Sequence, residues 1–65
     1  MVFSEWLFNE LNADGELPEG TVASDLTDDF LADNCDITTE EMEDLKRQYQ
    51  DWCADNGCDP EFDID

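Results

Sequence analysis

Ile37-Thr38-Thr39-Glu40-Glu41-Met42 is the stretch that decides the fold. Thr38 followed three residues later by Glu41 has the form of a capping box, in which a hydroxyl and a carboxylate satisfy the orphan N–H groups of a helix start. Ile37 and Met42 take the two hydrophobic-staple positions around it. From Met42, the residues Leu45, Tyr49, Trp52 and Cys53 recur at three- and four-residue steps and give one apolar stripe over about four turns. Asn56-Gly57 stops the run, because Gly tolerates the left-handed conformation that closes a helix, and Pro60 keeps the chain from resuming it. A helix over residues 38–56 follows.

Two further helices precede it. Ser4 stands as an N-cap for a helix over 4–13, with Phe3, Trp6, Leu7 and Leu11 at helical spacing and Phe8 widening the stripe. Asp14-Gly15 ends that helix, and residues 16–20, punctuated by Pro18 and Gly20, read as a loop. A cap at Thr21 predicts a second helix over 21–34 that buries Val22, Ala23, Leu26 and Phe30, with Asp25, Asp28 and Asp29 away from the centre of the stripe. Cys35-Asp36 turns the chain toward the third helix. The tail, residues 59–65, alternates apolar and acidic side chains and is expected to pack through Phe62 and Ile64. The fold class is therefore all-α: one domain, residues 1–65, forming a three-helix bundle with a short C-terminal tail. Its expected core is Trp6, Leu7, Leu11, Leu26, Phe30, Leu45, Tyr49 and Trp52.

Composition sets the rest. Twenty Asp and Glu against two Lys and Arg, with no His, give a formal charge of −18 on 65 residues. Acidic chains poor in aromatics are disordered, but 11% aromatic and 40% hydrophobic residues are enough for a globular core. Self-repulsion destabilises such a compact state, so the charge implies selection for it. Neither a basic leader region nor a long apolar run is present, so no secretory signal or membrane span is expected and the compartment is cytoplasmic, with reduced thiols. Cys35, Cys53 and Cys58 form no CxxC pair and have no His to complete a zinc site, although a Cys53–Cys58 link across a helix end is open to an oxidised sample.

Catalysis has little material to draw on. Without His, and with only Lys46 and Arg47 as bases, an enzyme would depend on paired carboxylates around a pocket that a chain of this size has little room for. The expectation is a non-enzymatic protein. Calcium fares no better: Glu10, Asn12, Asp14 and Gly15 match the opening of an EF-hand loop, but its ninth position would be Pro18 and its twelfth Thr21 instead of a bidentate Glu. No metal or cofactor is expected.

The acidic faces need their own explanation. Solvated helices mix signs, because Glu–Lys pairs at four-residue spacing help slightly and like pairs hurt, and here the harmful option recurs. Carboxylates at that spacing lie about 5–6 Å apart, comparable to rows of phosphates. One row of Asp25, Asp28 and Asp29 with another of Glu40, Asp44, Asp51 and Asp55 would imitate a short duplex. Asp33, Asp36 and Glu43 extend the candidate partner-binding surface. Its partner would be a basic nucleic-acid-binding protein whose Lys and Arg hold phosphates. Neither nucleic acid itself nor a membrane is an expected ligand.

In length, helical content and acidic density (Asp25, Asp28, Asp29, Asp33, Asp36), the chain resembles the small acidic phage proteins that inhibit bacterial defence. In particular it resembles DNA-mimic anti-CRISPR proteins, and among those the short all-helical inhibitors of type I-C systems. The resemblance covers the whole chain and has no signature motif, so no residue role is carried over. It implies a phage- or mobile-element-encoded inhibitor acting in a bacterial cytoplasm. The implied partner is the large Cascade subunit that reads the PAM, and the implied mechanism is competition for its basic groove. Three alternatives remain from the residues: mimicry aimed at another DNA enzyme or repressor, a halophile's acidic housekeeping protein, and an adaptor using an exposed patch at Phe62 and Ile64 or Leu31.

Overall fold

The computed structural model describes residues 1–64; Asp65, the last residue of the alternating tail, lies outside the described residues. Among the described residues there are three α-helices, α1 (Phe3–Asp14), α2 (Asp28–Cys35) and α3 (Thr39–Asn56), with a short 3-10 turn at Ala23–Asp25. No strand occurs among the described residues. The protein is a small all-α three-helix domain, with α1 packed on both α3 and the 3-10 turn.

α3 follows its local signals. Of the expected capping box the hydroxyl half is formed, Thr38 Oγ1 accepting from the Glu41 N–H at 3.2 Å, and Ile37 and Met42 are both buried as a staple requires. At the other end Gly57 adopts φ 71°, the left-handed conformation, and Cys58 N–H donates to Cys53 O at 2.9 Å. α1 closes in the same way at Gly15, with Glu16 N–H donating to Leu11 O at 3.1 Å.

The start of α1 differs from the sequence expectation. Val2 is the N-cap residue, the helix begins at Phe3, and Ser4 caps nothing locally. Instead Ser4 is buried and its N–H donates to Asp63 Oδ1 at 2.9 Å, with its hydroxyl donating to Asp63 Oδ2. A side chain from the far end of the chain thus supplies the acceptor that a helix start needs, and leaves the Ser4 hydroxyl to serve as a donor.

The second helix is shorter than its apolar pattern suggests. Thr21 is part of a turn, its hydroxyl and N–H both donating to Pro18 O at 2.7 and 3.2 Å. Asp25 then folds back so that Oδ2 accepts from Val22 N–H at 3.2 Å, and Leu26 and Thr27 are extended. The helix begins only at Asp28, where Thr27 Oγ1 accepts from Phe30 N–H at 3.1 Å. The reason is competition between caps. Thr27-Asp28-Asp29 combines a cap hydroxyl with two acids in the first turn, which favours a start there, while Ser24 and Asp25 favour local side-chain-to-backbone bonds over helix.

This late start changes which residues are buried. Leu31 is fully buried and Val22 is exposed, while Phe30, Leu45 and Trp52 are half-buried on the margin of the core rather than in it. The centre is aromatic: Phe3 and Tyr49, both at zero exposure, have ring centroids 5.4 Å apart, with Trp6 5.8 Å from Tyr49. Ile64 is buried as expected of the tail; Phe62 remains 42% exposed although its ring lies 5.4 Å from Phe3 and 5.5 Å from Tyr49. Main-chain bonds fix the tail in place, Phe3 N–H donating to Glu61 O at 2.8 Å and Glu61 N–H donating to Tyr49 Oη at 3.0 Å.

Candidate acidic partner-binding surface

Every one of the ten singled-out carboxylates is exposed: Asp25, Asp28, Asp29, Asp33, Asp36, Glu40, Glu43, Asp44, Asp51 and Asp55. The row on α3 exists as a row. Residues 40, 44, 51 and 55 share the face opposite Met42, Tyr49 and Cys53, and at 1.5 Å per residue they extend over about 22 Å of helix. Glu43 sits to one side of it. One cation interrupts the line: Arg47 Nη1 lies 3.8 Å from Asp44 Oδ1, with both side chains largely in solvent, so screening leaves that pair little energetic weight.

The other row does not exist as drawn. Asp25 belongs to the 3-10 turn and spends one oxygen on Val22 N–H, whereas Asp28 and Asp29 open α2 after an extended break. Asp29 and Asp33 are one turn apart on α2, and Asp36 forms its left-handed C-cap at φ 53°. What the fold adds here is Asp63. It shares with Asp28 and Asp29 the rim of a groove of about 400 Å³ floored by Leu26 and Ile64. A second groove, of about 280 Å³, runs between α2 and α3, and the half-buried Lys46 lines it together with Asp28 and Asp29. Nothing in the alternation of the tail signalled Asp63, since its place is set by contacts with residues at the other end of the chain.

Exposed acids also occur outside these groups, among them Glu5, Glu10, Asp14 and Glu19. The negative charge therefore surrounds the molecule. Glu10, Asn12 and Asp14 lie within the last turns of α1, so they form no calcium loop. No group of three His, Cys, Asp or Glu arranged to hold a metal ion occurs among the described residues.

Elsewhere the titratable side chains are shaped by burial. Burial first, and then the charges of Glu16 and Asp36, push the Cys35 thiol up. Tyr49 is raised chiefly by burial, its hydroxyl donating to Met1 O at 2.6 Å. Hydrogen bonding with the Cys53 thiol, followed by burial, raises Cys58. These groups stay neutral at ordinary pH and give the surface no further charge. Among the described residues no helix is long and apolar enough to cross a membrane. No family model, curated protein or solved structure matches the chain.

Proposed function

We propose that this protein is a non-enzymatic inhibitor that stands in for duplex DNA, its carboxylates occupying the places of phosphates in the basic groove with which a type I Cascade reads the PAM. The observation that carries the reading is linear charge density. Eighteen net negative charges along a 31 Å axis amount to 31/18, or one per about 1.7 Å, and duplex DNA carries one per about 1.7 Å of its axis. Omitting Asp65 leaves 17, or about 1.8 Å per charge, still at the density of DNA. A partner that gains affinity by releasing counterions from phosphates gains it here by the same exchange.

Rows of charge give association rate and affinity but little specificity, so the choice of Cascade rests on the resemblance in length, helical content and acidity. The buried positions of Leu31 and Ile64 remove two of the three residues on which an apolar docking patch would have relied, and this favours charge as the means of recognition.

The test is order of addition. Protein mixed with Cascade before target DNA should abolish DNA binding, whereas protein added to a preformed complex should act only as fast as DNA leaves. Affinity for Cascade should fall steeply between about 50 and 200 mM salt. DNA binding that persists while later cleavage is lost would overturn the mimicry. Inhibition of a different DNA-binding enzyme, with Cascade untouched, would keep the mimicry and replace the target.

A further inference from the structure

We propose that Cys53 and Cys58 form a redox-active dithiol, which a small-molecule disulfide such as glutathione disulfide closes into an intrachain bond at the root of the C-terminal tail.

The geometry comes from the way α3 ends. With Gly57 left-handed, Cys58 N–H reaches back to Cys53 O at 2.9 Å and closes a six-residue loop. In this helix-ending motif the side chains of the two bonded residues meet, normally as an apolar contact. Here both are thiols, and both are free. A disulfide requires Cα atoms about 4.4–6.8 Å apart, a span that a direct main-chain bond between the two residues keeps within reach. Cys53 is fully buried against the core and Cys58 is half-buried beside it. The third thiol, Cys35, is at the end of α2, its Sγ 3.8 Å from Glu16 O, and serves as an internal control.

The exposures set the order of events. The Cys58 thiolate attacks one sulfur of glutathione disulfide, that S–S bond breaks, and one glutathione leaves as thiolate and takes up a proton. Cys53 then gives up its proton and attacks the Cys58 sulfur, expelling the second glutathione. Two cysteine thiols are oxidised to one disulfide and one glutathione disulfide is reduced to two thiols, with the cysteine protons transferred through solvent to the released thiols. Because the neighbouring thiol and burial raise Cys58, closure is slow near neutrality and accelerates about tenfold per pH unit as thiolate forms.

The product ties the last turn of α3 to the residue from which the tail departs. That tail carries the bonds of Glu61 to Phe3 and Tyr49 and of Asp63 to Ser4. Oxidation should therefore strengthen the clasp between the two chain ends.

The experiment treats the full-length chain with excess glutathione disulfide at mildly alkaline pH. The expected product has lost two hydrogens, retains one reactive thiol and yields Cys53 linked to Cys58 on peptide mapping. Its Tm should rise by about 10 °C and return on reduction. Cys35→Ser should oxidise identically, and Cys58→Ser should form no intrachain disulfide. Three persistent thiols, stable mixed disulfides, pairing through Cys35, or the same pairing pattern in folded protein as in urea would each overturn the proposal.

Discussion

Asp63 receives two hydrogen bonds from Ser4, a residue 59 positions away in sequence, one from its N–H and one from its hydroxyl. The first turn of α1 is thus completed by the tail. Asp63→Ala should cost about 1–2 kcal/mol, within the range for loss of a helix cap, and lower Tm by roughly 4–8 °C per kcal/mol in a chain of this size. Ser4→Ala should cost less, since the main-chain N–H still donates. Equal losses in urea denaturation for the two variants would show that the hydroxyl carries the interaction.

Tyr49→Phe tests the other tie between the chain ends. The hydroxyl donates to Met1 O at 2.6 Å and accepts from Glu61 N–H at 3.0 Å, so removing it strands two backbone groups near a buried ring. A loss of about 1–3 kcal/mol is expected, together with faster amide exchange at Glu61. Unchanged exchange there would mean that the tail does not depend on this hydroxyl.

Alkaline pH should destabilise the protein. Tyr49, Cys35 and Cys58 all have folded-state values raised above their ordinary ones, so the folded chain holds protons that the unfolded chain has released. The stability they contribute is fully present below the ordinary thiol and phenol values, about 8.5 and 10, and is lost as pH rises through the higher folded values. Urea midpoints should be flat with respect to these groups up to about pH 8 and fall above it. A midpoint that rises between pH 9 and 11 would contradict the burial of these groups.

Salt acts in the opposite direction. Between about 10 mM and 1 M NaCl the Debye length shrinks from about 30 to 3 Å, which relieves repulsion in a molecule whose described residues form one exposed ion pair. Tm should rise across that range, most of all at its lower end. A fall would show that the carboxylates are not straining the fold.

The α3 row gives the clearest test of function. Asp44→Ala alone should change inhibition less than about fivefold, because one exposed charge is worth at most about 1 kcal/mol. Reversing Asp44, Asp51 and Asp55 together to Lys moves the formal charge from −18 to −12. Two of the three new cations, at 51 and 55, fall in the C-terminal half of α3, where the helix dipole tolerates them. Circular dichroism should remain helical while inhibition weakens by about a hundredfold or more, since each site loses an attraction and gains a repulsion. Undiminished inhibition by a folded triple variant would move the contact surface to Asp28, Asp29 and Asp63.

How far the sequence revealed this arrangement depended on how local each signal was. Thr38, Glu41 and Gly57 act within a few residues of themselves, so α3 and the row on its outer face were legible from spacing alone. Spacing pointed to Thr21 as the cap of the second helix, but the helix starts after Thr27. The choice fell to Thr27 because two acids follow it and because Asp25 bonds back to Val22. That shift dissolved the expected second row, buried Leu31 and left Val22 in solvent. Asp63 was illegible because only tertiary contacts place it beside Asp28 and Asp29. A related correction concerns Trp52, which spacing put in the core. Half-buried as it is, Trp52→Ala should cost about 1–3 kcal/mol, less than the 3–5 kcal/mol or so expected for Phe3→Ala at the centre.

The bonds from Glu61 to Phe3 and from Asp63 to Ser4 also fix when the protein can mature. Synthesis proceeds from the N-terminus, so Asp63 is added 59 residues after the Ser4 that it caps. α1 therefore emerges without the partners that complete its first turn, its apolar side bare. That first turn therefore cannot consolidate as it is made, and settles only once residues 61–63 are present to reach it.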